Sequence, residues 1–196
     1  DQQEMFGDLI MLLAMIIILV YIVMASQFES FMSPFVIMFS IPFAFVGVLL
    51  GLWVTGTPLG TMGMIGILIL MGIVVKNGIV LIDYTILMRE RGYSIAESSV
   101  IAAKSRLRPI LMTTLTTVLG MVPMAMGIGE GSETWQPMGI SVVGGLLMST
   151  IITLFIVPSL YAMLEGSKER RARRKAAREK EEEAFIRRQM DKKQVE

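Results

Sequence analysis

The residue in this chain whose type and setting most demand a chemical explanation is Lys76. It lies in the run Met71-Gly72-Ile73-Val74-Val75-Lys76-Asn77-Gly78-Ile79-Val80-Leu81-Ile82-Asp83-Tyr84, near the middle of an apolar stretch long enough to cross a bilayer. A Lys at bilayer depth costs roughly 2.5–3.5 kcal/mol on insertion scales, and such residues mark ion or substrate paths. Its side chain is too short to reach water easily from that depth. Asp83 follows seven residues later, so it projects from nearly the same helix face, about 10 Å toward one end. That is too far for a direct ion pair, although the two could share a hydrated path. Asp83 reads equally well as an interfacial carboxylate near a helix end.

No other carboxylate of the chain is expected at the depth of Lys76. Glu29 and Glu97 fall in turns on one side of the membrane, and Glu130 and Glu133 fall in a loop on the other. A buried ammonium without a counter-ion is neutralised or strongly destabilising. The expected partner is therefore an acid on a helix outside this sequence. A Lys paired with a membrane carboxylate makes a proton switch: protonating the acid releases the Lys, and the charge rearrangement moves helices.

Two further groups could join such a path. Thr113, Thr116 and Thr117 share one face of a later helix and could hold water or hydrogen-bond Lys76; Thr hydroxyls equally bond their own helix backbone. Arg106, at the mouth of that helix, could line a proton exit or simply belong to a basic loop. The eighteen Met residues raise a copper alternative, above all Met121, Met124 and Met126, because thioethers bind Cu(I). Met is also an adaptable filler of apolar packing, and these residues are scattered through every apolar segment.

The elements that must position these residues follow from composition. Of 196 residues 54% are hydrophobic, and the mean hydropathy is +0.65. The apolar residues gather in long blocks, which indicates a membrane domain. Cys and His are absent, which excludes disulfides and zinc sites built on thiolate or imidazole. Five membrane helices are predicted, at about 9–27, 34–55, 62–88, 109–126 and 138–164. Pro42 should kink the second, and Gly47-xxx-Gly51 gives it a flat packing face. Ser94-Ile95-Ala96-Glu97 reads as a capping box opening a separate surface helix over 94–106.

Residues 1–164 hold six Lys/Arg and nine Asp/Glu, whereas 165–196 hold twelve and eight. The body is mildly acidic, and the tail is a basic run over 168–178 followed by Glu179, Glu181, Glu182 and Glu183. The tail suits a solvated helix that anchors topology and aids solubility, with a regulatory or lipid-binding role as the alternative. Nucleic-acid binding is unsupported, since aromatic platforms are missing and the acidic half repels phosphate. Arg89, Arg91, Lys104, Arg106 and Arg108 crowd one loop, so that loop and the tail are expected in the cytoplasm. Five spans then put residue 1 outside, with no export signal before it. The expectation is a carboxy-terminal piece of a longer protein.

The runs Val75 to Tyr84, Arg106-Leu107-Arg108-Pro109-Ile110-Leu111-Met112-Thr113-Thr114, and Gly144-Gly145-Leu146 through Phe155-Ile156-Val157-Pro158 resemble the resistance-nodulation-division (RND) efflux pumps. The Gln27-Phe28-Glu29-Ser30 turn before Pro34 fits as well. The nearest branch is the hydrophobe/amphiphile multidrug exporters of the AcrB type. The resemblance covers residues 1 to about 164 and implies the last five of twelve membrane helices of a proton-driven antiporter. It implies a relay in which Lys76 pairs with two Asp on a helix of the other half, and Arg106 and Thr113 take part. Asn77 and Asp83, from the same motif as Lys76, complete the candidate set. It further implies protons as the coupling ion with no other cofactor. A homotrimer in the inner membrane of a Gram-negative bacterium, with a periplasmic adaptor and an outer-membrane channel, is implied too. Heavy-metal pumps of the superfamily usually lack a Lys here, which weakens the copper alternative.

Two readings of other classes stand beside it. A small stand-alone membrane protein could bind a partner through its helix faces without transporting anything. An intramembrane enzyme is the weaker alternative, because no nucleophile–base pair or metal set falls at membrane depth.

Overall fold

The computed structural model describes the backbone of residues 2–195 and the side chains of residues 4–167. Its helices are α1 (Gln2–Phe28), α2 (Met32–Met38), α3 (Ser40–Thr55), α4 (Thr61–Glu90), α5 (Ile95–Ala125) and α6 (Gln136–Val195), with a 3₁₀ turn at Ser132–Thr134. Five segments are long and apolar enough to cross a membrane: Glu4–Phe28, Met32–Thr55, Thr61–Glu90, Ile95–Ala125 and Gln136–Ser167. This all-α design is what hydrocarbon permits, because each helix satisfies its own backbone groups. The chain is an all-α membrane domain.

The second span is not one kinked helix but two. Pro42 has no N–H, so the Met38 carbonyl four residues earlier loses its donor, and the ring crowds it. The chain breaks at Phe39, where the Ser40 hydroxyl donates to the Ile37 carbonyl at 2.6 Å. The turn before it closes at Glu29, whose φ of 47° is left-handed.

The surface helix expected over 94–106 is not separate. Its capping box is present: the Ser94 hydroxyl accepts from the Glu97 amide, and the Glu97 carboxylate accepts from the Ser94 amide at 3.1 Å. The helix it opens then runs through Pro109 to Ala125. Pro109 removes one backbone bond, to Ser105, while Ile110 and Thr114 bury just beyond it and hold the helix together. The helix expected over 138–164 is likewise the first part of α6. The charged side chains of the tail beyond Ser167 lie outside the described residues.

α6 is the hub, packed against α3, α4 and α5, while α1 touches only α2 and α4 substantially. Lipid tails are as apolar as Leu, so helices associate here through close contact rather than through the hydrophobic effect. The α3–α6 crossing shows how close. A Cβ built on Gly47 would lie 2.5 Å from Met148 Cβ and 2.7 Å from the Gly144 carbonyl oxygen. The flat Gly47–Gly51 face therefore meets Gly144 directly.

Candidate functional site

α4 has two unlike faces. One turns to the bundle and buries Leu70, Met71, Val74, Leu81 and Ile82. Two features of that side are small or self-satisfied. Thr85 donates to the Leu81 carbonyl at 2.9 Å, and Gly78 lets Ile37 of α2 approach so closely that a Cβ there would be 2.6 Å from its Cγ2. The other face carries Ile69, Gly72, Lys76, Asp83 and Leu87, all exposed. The spacing of Lys76 and Asp83 thus does place them on one face. Among the described residues neither makes an ion pair or hydrogen bond. Asn77, one step round the helix from Lys76, is buried at 7% exposure.

α5 contributes the remaining candidates. Thr113 is exposed and donates to the Pro109 carbonyl at 3.0 Å; Thr117 donates to the Thr113 carbonyl at 2.9 Å. Both hydroxyls are thus engaged by their own helix, and no hydrogen bond joins Thr113 to Lys76 among the described residues. Thr114, singled out only as a neighbour in the sequence, is buried and meets Thr150 of α6 hydroxyl to hydroxyl at 3.0 Å. Met121 and Met124 are half-buried, while Met126 is exposed and lines an apolar groove between α3, α5 and α6.

Arg106 lies at the α4–α5 seam with its Cζ 4.7 Å from the centroid of the Tyr84 ring. Its Nε is shielded and finds no acceptor. Sequence reasoning missed Tyr84 as its neighbour, since the contact depends on how α4 and α5 cross. A second arginine at the same end of α4 is treated differently. Arg89 donates from Nη1 to the Tyr161 hydroxyl at 3.1 Å and to Glu165 Oε2 at 3.4 Å, which ties α4 to α6.

The structure therefore groups Lys76 and Asp83 on one bare face, sets Arg106 beside Tyr84, and leaves Thr113 on its own backbone. It bonds none of the five candidates to another.

Comparison with known proteins decides the lineage. The sequence model of the AcrB/AcrD/AcrF family matches residues 1–165. The chain belongs to this family of RND efflux pumps. It is 41% identical over 170 residues to the multidrug resistance protein MdtC of Proteus mirabilis (strain HI4320), covering 86% of this chain. It is 42% identical over 165 residues to the swarming motility protein SwrC of Bacillus subtilis (strain 168), covering 84%. Among solved structures it resembles a heavy metal efflux pump, with a TM-score of 0.76 and 32% identity over 84% of this chain. The chain spans 16% of the length of each of these relatives. The RND resemblance seen in the motifs is thereby established, and the chain is a multi-pass membrane segment of a transporter family rather than of an enzyme family.

Proposed function

We propose that this chain is the last five membrane helices of a proton-driven RND transporter that exports hydrophobic and amphiphilic compounds, and that Lys76 is half of its proton relay. The observation that carries this reading is the bare face of α4. An apolar helix that buries one side thoroughly leaves a Lys and an Asp, both unpaired among the described residues, on the other. Charges in lipid need partners, so that face is built to meet another membrane segment bearing acids. Protonation of those acids would free Lys76 and let α4 shift against them, with Asp83, Asn77, Arg106 and Thr113 along the path.

The rest of the reading follows the family: an inner-membrane homotrimer, a periplasmic adaptor, an outer-membrane channel and a cytoplasmic tail. MdtC, a multidrug resistance protein, supports drug-like substrates. The test is ΔpH-driven efflux by the intact transporter in proteoliposomes. Lys76→Ala should lower turnover by about 100-fold or more, the scale of a lost proton-transfer group, with trimer assembly unchanged. Wild-type efflux by that variant would refute the relay.

A second reading is metal efflux, favoured by the structural likeness to a heavy metal efflux pump. Competition assays with Cu(I) or Ag(I) against lipophilic dyes separate the two. Inhibition of dye efflux by neither ion supports the first reading.

A further inference from the structure

We propose that Tyr84 is the positioning residue for Arg106, holding its guanidinium by the ring face at the α4–α5 seam so that it stays uncommitted to any carboxylate. This deepens the relay reading and rests on Arg106 belonging to that relay.

Two arginines, Arg89 and Arg106, sit at the cytoplasmic end of α4 and α5. Each is met by a tyrosine, but in opposite ways. Tyr161 offers Arg89 its hydroxyl, and Glu165 adds a carboxylate, so that guanidinium is fixed by directed bonds. Tyr84 offers Arg106 only its ring, 4.7 Å from Cζ. Arg106 has five N–H donors, yet among the described residues it makes no hydrogen bond and no ion pair, and its Nε is shielded from any acceptor. A half-buried guanidinium in that condition needs another source of attraction, which the negative face of an aromatic ring supplies.

The choice of ring over carboxylate has a consequence. A bidentate guanidinium–carboxylate pair is strong and directional, and it would fix both charges. A ring face attracts the cation less strongly and leaves the in-plane N–H groups free for water or a passing carboxylate. Asp83 precedes Tyr84 directly. Successive residues on a helix diverge by about 100°, so Tyr84 turns toward α5 while Asp83 faces the bare side. Tyr84 thus keeps Arg106 on the α4–α5 seam, off the bare face that carries Asp83. A charge held this way can move when the charges along α4 change. The Tyr84 hydroxyl makes no hydrogen bond among the described residues, so the ring itself is the functional part.

The experiment compares Tyr84→Phe, Tyr84→Trp and Tyr84→Leu in the intact transporter. Phe and Trp keep a ring face; Leu keeps apolar bulk without one. Turnover in ΔpH-driven efflux should stay within about twofold of wild type for Phe and Trp, whereas Leu should lower it about tenfold, the range of a desolvated cation–π contact. The half-saturating substrate concentration should not change. In ¹⁵N-arginine NMR, the ring-current shift of the Arg106 Nε–H should persist in Phe and vanish in Leu. Should the Leu variant not fold, Tyr84→Met supplies a second ring-free side chain.

Equal losses for Phe and Leu, or wild-type turnover in Leu, would overturn the proposal, as would an Arg106 signal with no ring-current shift in the wild type. Wild-type turnover in Arg106→Ala would instead remove Arg106 from the relay, and the functional role of Tyr84 with it. The ring-current shift would then still report the contact, which separates the two failures.

Discussion

The two faces of α4 obey different rules although they belong to one helix. Toward the bundle, contacts are made inside the chain: Leu81 and Ile82 are fully buried, Gly78 admits Ile37, and Thr85 satisfies itself on its own backbone. On the far side nothing is settled. Lys76 and Asp83 are exposed without partners among the described residues, and a Cβ on Gly72 would meet nothing within 4 Å. A membrane helix gains little by being apolar against lipid, so its contacts come from fit, and a charge finds no such fit in hydrocarbon. The contrast sets a packed face against a bare one, and under the proposed relay the bare face is where the counterpart helix meets α4.

That contrast can be broken at single positions. Leu81→Ala should cost about 2–3 kcal/mol of helix packing through the cavity it leaves, read by reversible unfolding in mixed micelles. Gly78→Val should cost about 1–3 kcal/mol, because the added carbons collide with Ile37. Gly72→Ala, on the bare face, should do the opposite: about 0.5–1 kcal/mol of gain from helix propensity in the chain alone. In the intact transporter the same substitution should slow transport, because the proposed partner helix must pass close to that face. Equal responses at Gly72 and Gly78 would erase the distinction between the faces.

Much of this was legible in the residues, and the misses have physical causes. Five spans, the capping box at Ser94 and the Gly47 packing face are local properties, written in hydropathy, side-chain chemistry and size. Pro42 was readable as a disruption, but whether it would kink or split the helix was not, since that depends on whether neighbours restore the lost bond. Whether the helices expected over 94–106 and 109–126 join through Pro109 depends on neighbours in the same way. The joined helix persists because Thr114 meets Thr150 of α6 and Ile110 is buried on the far side of the proline. The seven-residue spacing of Lys76 and Asp83 is intrinsic to a helix, so their shared face was visible. The seating of Arg106 on Tyr84 was not, because it joins residues 22 apart through a crossing that no local pattern encodes. Thr113 shows the remaining difficulty. A threonine in a membrane helix has its own carbonyls within reach, and here it uses one.

Under the proposed relay, the bare face of α4 pairs Lys76 with acids from another membrane segment. The direct measurement is the dipolar coupling between the Lys76 ¹⁵Nζ and Asp ¹³Cγ carboxylates, taken by solid-state NMR and isolated by difference against Lys76→Arg. In the intact transporter the account predicts dephasing that corresponds to an ion pair within about 4 Å between N and O, and none in the chain alone. An intact, actively pumping transporter in which Lys76 shows no carboxylate coupling would contradict it.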